Sequence, residues 1–181
     1  MRNNILALKG YVPKIGKNCF IAETATIIGE VEIGDNCSLW YNAVLRGDVG
    51  AIRIADECNI QDGAILHATH QISECILGER VSIGHNAIIH GAVIEPDVLV
   101  GMGAIVMDNA HIQSFTIVAA GSIVLANQIL ESGYIYAGNP AKKVKKIADS
   151  KAGKYIELTP IAYNKYVEWY KAEGYGVEYK V

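Results

Sequence analysis

The sequence predicts a mainly-β chain: a parallel β-helix of three-sided coils, with one α-helix packed on its outside near the C-terminus. Three observations carry this. Aliphatic residues recur six apart at Ile15, Ile21, Ile27, Ile33, Leu39 and Leu45. The series resumes after short breaks at Ile54, Ile60 and Leu66, at Leu77, Ile83 and Ile89, and at Ile94, Val100, Val106, Ile112, Val118 and Val124. A small or β-branched residue stands four places after most of them, as at Cys19, Ala25, Cys37, Ala43, Val49, Cys58, Ala64, Ala87, Val93 and Ala104. A period of six fits neither an amphipathic helix nor an alternating strand; it fits a short strand plus a turn, with three such units closing one coil of eighteen residues. Beyond Val124 the pattern fades, and Tyr163, Tyr166, Val167 and Tyr170 make a helical stripe.

In chain order, the β-helix is expected over residues 11–126, a connecting tail over 127–154 and the helix over 158–173, all within a single domain of residues 1–181. Three breaks interrupt the repeat. Three extra residues fall between Leu45 and Ile54, five between Leu66 and Leu77, and one is missing between Ile89 and Ile94. Insertions in a solenoid leave as surface loops, where function concentrates. Gly138-Asn139-Pro140 reads as a turn, and Lys142, Lys143, Lys145 and Lys146 as a solvated run. Thr159 is a candidate N-cap with Pro160 in the first helical position, and Gly174 a stop. The repeat itself is the hexapeptide pattern of left-handed parallel β-helices, and the left hand follows from that resemblance.

Composition narrows the function. Sixteen Lys and Arg against nineteen Asp and Glu leave a net charge of -3, which argues against nucleic acid and membrane surfaces as partners. No stretch approaches a membrane span, and four cysteines without a secretory signal point to a reduced, cytoplasmic setting. Cys19, Cys37 and Cys58 fall one coil apart at the inward small position, so they read as core packing. Cys75 falls in a loop and His111 on the surface.

Counting repeat units places the remaining histidines. His67 follows Leu66 and His90 follows Ile89, so both take the second position of a unit, one coil apart on one face. Their raw spacing of 23 is a coil of eighteen plus the five-residue insertion. His85 takes a third position and faces elsewhere. Backbones about 4.8 Å apart let two imidazoles tilt onto one metal ion, whose tetrahedral nitrogens need a separation of roughly 3.3 Å. His85 joins such a site only from a neighbouring subunit, as in a cyclic homotrimer. Three neutral imidazoles with one open position make a catalytic zinc arrangement.

The segments Leu45-Arg46-Gly47-Asp48, Asn59-Ile60-Gln61-Asp62-Gly63, Leu66-His67 and Gly84-His85 through His90-Gly91 resemble the γ-class carbonic anhydrase family over residues 11–140. The resemblance implies a zinc site (or a ferrous one) with His67 and His90 from one subunit and His85 from the next. It places Arg46, Asp48 and Asp62 in interface electrostatics, and Gln61 with Asn59 beside the metal-held water. His70 stands where the family's best-studied members carry a proton-shuttling glutamate, and an imidazole suits that task. CO2 is then the small-molecule substrate. Two other readings stay open: a hexapeptide-type acyltransferase or thioesterase acting on a coenzyme A derivative, and a non-catalytic metal-holding scaffold.

Overall fold

The structure is a computed structural model that describes residues 4–177. Its body is a parallel β-solenoid. Each coil contributes one short strand to each of three faces, and every strand pairs with its equivalents one coil before and after.

The first face stacks Phe20–Ile21, Ser38–Leu39, Asn59–Ile60, Ser82–Ile83, Val98–Val100 and Thr116–Val118. The second runs from Thr26–Ile33 and Val44–Ile54 through Ile65–His67 and Ile88–His90 to Ile105–Val106 and Ile123–Val124. The third includes Lys14–Ile15, Cys75–Leu77, Val93–Ile94 and His111–Ile112. The two longest strands turn a corner and so serve the second and third faces together.

The aliphatic column is the core. Ile27, Leu39, Leu45, Ile60, Leu66, Ile83 and Ile89 are fully buried, each above its equivalent one coil earlier. Each such side chain contributes about 1.5–3 kcal/mol on leaving water. Small residues fill the corners between: Ala43, Cys58, Ala64, Ala87 and Ala104 are almost wholly buried. Two of the expected small positions move. Ala51 and Ala92 point inward where Val49 and Val93 were expected, because an insertion and a shortened coil shift the register there; Val93 is 37% exposed. All four cysteines are free thiols. Those of Cys19, Cys37 and Cys58 donate to the carbonyls of Gly34, Ala55 and Gly78, each at 3.1 Å, so the ladder is packing. Cys75, expected in a loop, is buried at the start of a strand.

The solenoid outruns its expected end at 126. Ile129–Leu130 and Tyr134–Ala137 add further parallel strands, with Leu130 and Tyr136 in the core. After the Gly138-Asn139-Pro140 turn, Lys142–Lys146 pairs antiparallel as a fully exposed edge. The helix spans Lys154–Ala172, so it begins before residue 158 and holds Pro160 in its interior. Burial explains the earlier start: Ile156 and Pro160 are both buried against the solenoid, and that contact outweighs the missing proline N–H. Tyr163, Val167 and Tyr170 continue this face onto Phe20 and Trp40 of the first face. No described helix is long and apolar enough to cross a membrane.

One corner is strained. In successive coils Asn18, Asn36, Glu57, Arg80, Asp97 and Phe115 all stand at φ between 54° and 59°, and Gly133 follows at 83°. Asn tolerates this left-handed conformation, whereas a bulky aromatic does not. Phe115 is also 46% exposed, so it gains little packing in return. Phe115→Asn is therefore expected to stabilise by about 1 kcal/mol and to raise Tm by about 2–4 °C in a calorimetric scan. A lowered Tm would mean that the ring makes a contact worth more than the strain.

Candidate metal centre

His67 and His90 end their strands on the second face and are direct partners in the parallel ladder. Leu66 and Ile89 point into the core, so the two imidazoles necessarily point out. His67 Nδ1 lies 3.1 Å from His90 Nε2. The remaining nitrogen of each ring meets a carboxylate. His67 Nε2 is 3.0 Å from Asp48 Oδ1, and His90 Nδ1 is 3.0 Å from Asp108 Oδ2.

Those carboxylates are ionised. Burial pushes Asp48 up, but hydrogen bonds from Arg46 and His67 outweigh it and hold the carboxyl below its usual range. Asp108 is likewise raised by burial and then lowered further by Ser73 and His90. A carboxylate only accepts, so each ring places its N–H on the aspartate side. In the neutral rings the facing nitrogens are then two lone pairs at contact distance. Among the described residues nothing lies between them to donate, so the pair can take up either a shared proton or a metal cation. The 3.1 Å separation matches the roughly 3.3 Å needed by tetrahedral zinc. The donor set therefore fits a divalent ion, and the two aspartates are the outer partners that metal-bound histidines ordinarily keep.

His85 sits in the turn at the corner that begins the second face, five residues before His90. It follows the same rule. His85 Nδ1 pairs with Asp62 Oδ2 at 2.9 Å, leaving Nε2 as an acceptor, 3.3 Å from the Tyr163 hydroxyl of the helix. Burial and the nearby Asp62 push the Tyr163 phenol up to about 12, so it stays protonated and donates. Among the described residues no three His, Cys, Asp or Glu side chains converge on one point that could hold a metal ion. Two histidines meet within the chain, and the third stands apart in the matching tautomer.

The other expected residues are placed as follows. Arg46 Nη1 bonds Asp48 Oδ2 at 2.6 Å within the chain, so this pair steadies His67 directly. Asn59 and Gln61 are buried beneath the helix. Gln61 donates to Asn59 at 3.0 Å, and Asn59 to Ser82 at 2.7 Å; neither reaches His67 or His90. His70 lies on the loop after His67, its Nδ1 3.3 Å from the Val49 carbonyl. It opens onto a cavity of about 690 Å3 that Asp48, Ser73 and Gly91 also line. His111, expected on the surface, is paired there: its Nε2 lies 2.8 Å from Glu95 Oε1.

Asp108 is the residue that sequence reasoning missed. It sits one coil after His90, opposite Gly91, and also takes a hydrogen bond from Ser73 of the second insertion. No spacing rule marked it: Asp62 stands one coil before His85 and Asp48 two residues beyond the position opposite His67, whereas Asp108 comes one coil after His90.

The second face is apolar on its outside. Val44, Ile65, Ile88, Ile105 and Ile123 form an outward column beside His67 and His90, where a solvated face carries polar residues. Ile65 is 40% exposed, and Met107 and Leu125 are exposed alongside.

Comparison with known proteins agrees with the repeat. Residues 13–47 match the bacterial transferase hexapeptide (six repeats) family. The chain is 40% identical over 145 residues to a carbonic anhydrase of Geobacillus kaustophilus, covering 80% of this chain and 79% of that one. It is 38% identical over 161 residues to γ carbonic anhydrase 2, mitochondrial, of Arabidopsis thaliana, covering 82% of this chain. The chain spans about three-fifths of the length of that protein and of a second Arabidopsis relative, γ carbonic anhydrase 1. Among solved structures, a hexapeptide transferase family protein from Anaplasma phagocytophilum superposes with a TM-score of 0.88 at 36% identity, covering 94% of this chain and 99% of that one. With its repeat, its fold and these relatives together, the chain belongs to the γ-class carbonic anhydrase-like family of hexapeptide-repeat proteins.

Proposed function

We propose that this protein is a metal-dependent catalyst of carbonic anhydrase type, converting CO2 to bicarbonate at sites shared between subunits of a cyclic homotrimer. The observation that carries this reading is the set of three His–Asp pairs, which turns one ring lone pair of each of His67, His85 and His90 away from its aspartate; that of His85 is held by the Tyr163 hydroxyl, which a metal ion would displace. A bound zinc or ferrous ion supplies a Lewis acid that makes water nucleophilic near neutral pH.

The chain's own residues do the rest. Asp48 and Asp108 hold the N–H protons of His67 and His90 away from the site and fix both ring planes, and Asp62 does the same for His85. The apolar column of the second face supports a copy of this chain as its cover. The second face runs from the His85 corner to the His67 and His90 edge, so a cyclic arrangement of three copies brings unlike edges together. Asn59 and Gln61, buried next to the His85 corner, would travel with His85 to the neighbour's site and offer a fixed amide there. His70, exposed at the mouth of the 690 Å3 cavity, is placed to carry protons between Asp48's surroundings and solvent.

A second reading, acyl transfer or thioester hydrolysis on a coenzyme A derivative, draws on the transferase relative and on the exposed Lys142–Lys146 edge. Acyl transfer needs one histidine as base and no ring pair stripped of protons, and that favours the first. Stopped-flow CO2 hydration on metal-loaded protein tests the choice. A rate above buffer that vanishes with chelator and returns with zinc or ferrous ion is expected. Turnover of acetyl-coenzyme A that ignores chelator, with no hydration, would contradict it.

A further inference from the structure

At the end of the helix farthest from its start, four aromatic rings and one carboxylate surround a cavity of about 420 Å3: Tyr41, Trp169, Tyr170, Tyr175 and Glu173. We propose that this cavity binds a small quaternary ammonium compound, with the alkylated cation against the ring faces and Glu173 as its counter-ion.

The rings are held at angles that make a concave wall. The Tyr170 ring lies 6.0 Å from Tyr41 and 5.9 Å from Tyr175, tilted by 50° and 59°. Trp40 packs edge-on behind Tyr170 at 5.2 Å, which fixes its orientation before any ligand arrives. Trp169 and Tyr175 are 54% and 53% exposed, an unusual amount of ring surface to leave in water beside a formed core.

Charge completes the complementarity. Among the described residues Glu173 has no ion-pair or hydrogen-bond partner for its carboxylate. A second acid, Glu23, is fixed by the Gly176 N–H at 2.7 Å and stands close to the Tyr41 phenol. That backbone hydrogen bond keeps the Glu23 carboxyl below its usual range, so the wall behind Tyr41 is negative.

Chemistry then selects the ligand class. Aromatic faces attract cations through their quadrupoles, but offer no hydrogen bonds to replace the hydration shell of a sodium or ammonium ion. A trimethylated ammonium has no N–H to desolvate and presents methyl groups that also bury against the rings. The site is separate from the histidines, so its occupancy is independent of the metal.

Choline is the probe, titrated against the full chain and followed by its methyl proton resonance. Saturable binding is expected, with 3,3-dimethylbutanol, the uncharged isostere, binding at least about tenfold more weakly. Trp169→Leu and Glu173→Gln should each weaken choline by about tenfold while circular dichroism stays unchanged, since both residues are exposed. His90→Ala should leave the titration as it was. The proposal is overturned by equal binding of the isostere, by variants that keep the affinity, or by no saturation up to concentrations on the order of 50 mM. A trimethyllysine peptide that binds far more tightly than choline would also overturn it, by moving the ligand from a small molecule to a modified protein.

Discussion

His85→Ala is expected to strip the metal as completely as His90→Ala, although His85 lies far from the histidine pair in its own chain. Loss of an outer partner typically costs a metal site 10–100-fold in affinity. Loss of one of three direct ligands should therefore cost more than about 100-fold. Elemental analysis after gel filtration should find less than a tenth of the wild-type metal, roughly, in either variant. Both should remain folded, because His85 and His90 project outward from an intact core. A His85→Ala protein that keeps its metal would confine the site to His67 and His90.

Gly84→Ala should damage fold and site together. A Cβ at this position would stand 2.6 Å from Met102 N and 2.8 Å from both Gly101 C and Val100 O, all backbone atoms of the next coil. Gly84 N–H also donates to that same Val100 carbonyl at 2.8 Å, so the two coils have no room to part. Overpacking of this kind costs about 1–3 kcal/mol, and a backbone obstacle puts Gly84→Ala at the upper end. The displaced segment carries His85, so metal content should fall as well. Gly121→Ala is the comparison: its φ of +67° makes alanine strained, yet nothing lies within 4 Å of the new Cβ and its N–H bonds Met102 rather than His85. It should cost about 1 kcal/mol in a denaturant titration and spare the metal. Equal losses in the two variants would mean that close coil stacking at Gly84 is not what positions His85.

The core was legible because one physical rule repeats in it. Inward side chains must be apolar and sized to their place, so Ile60, Leu66, Ile83 and Ile89 appear in the sequence at the spacing they keep in space. The period misleads only where a coil changes length. Between Ile89 and Val106 a coil is one residue short, and Ala92 takes the inward place that the count assigns to Val93. The helix start was hidden for another reason. Ile156 has no capping signal before it and is held by burial alone, which local patterns do not carry.

The histidine pair could be read from the sequence, since insertions are countable and His67 and His90 share a position in the repeat. Their aspartates were harder. The resemblance reads Asp48 and Asp62 as interface charges, and within the chain each meets a histidine, a contact that the repeat count did not carry. Asp108 lies in an unmarked stretch, and its role appears only once the coil is closed and Ser73 and His90 converge on it.

The central claim is a site completed by a neighbour, and co-expression of His85→Ala with His90→Ala tests it most directly. Each variant alone has no complete site. A cyclic trimer containing both kinds of subunit has one interface where an intact His67 and His90 edge meets an intact His85. Random mixing in equal amounts therefore restores about a quarter of the sites, read as both bound metal and CO2 hydration. Metal and activity near zero in the mixture, with trimers formed, would contradict the shared site.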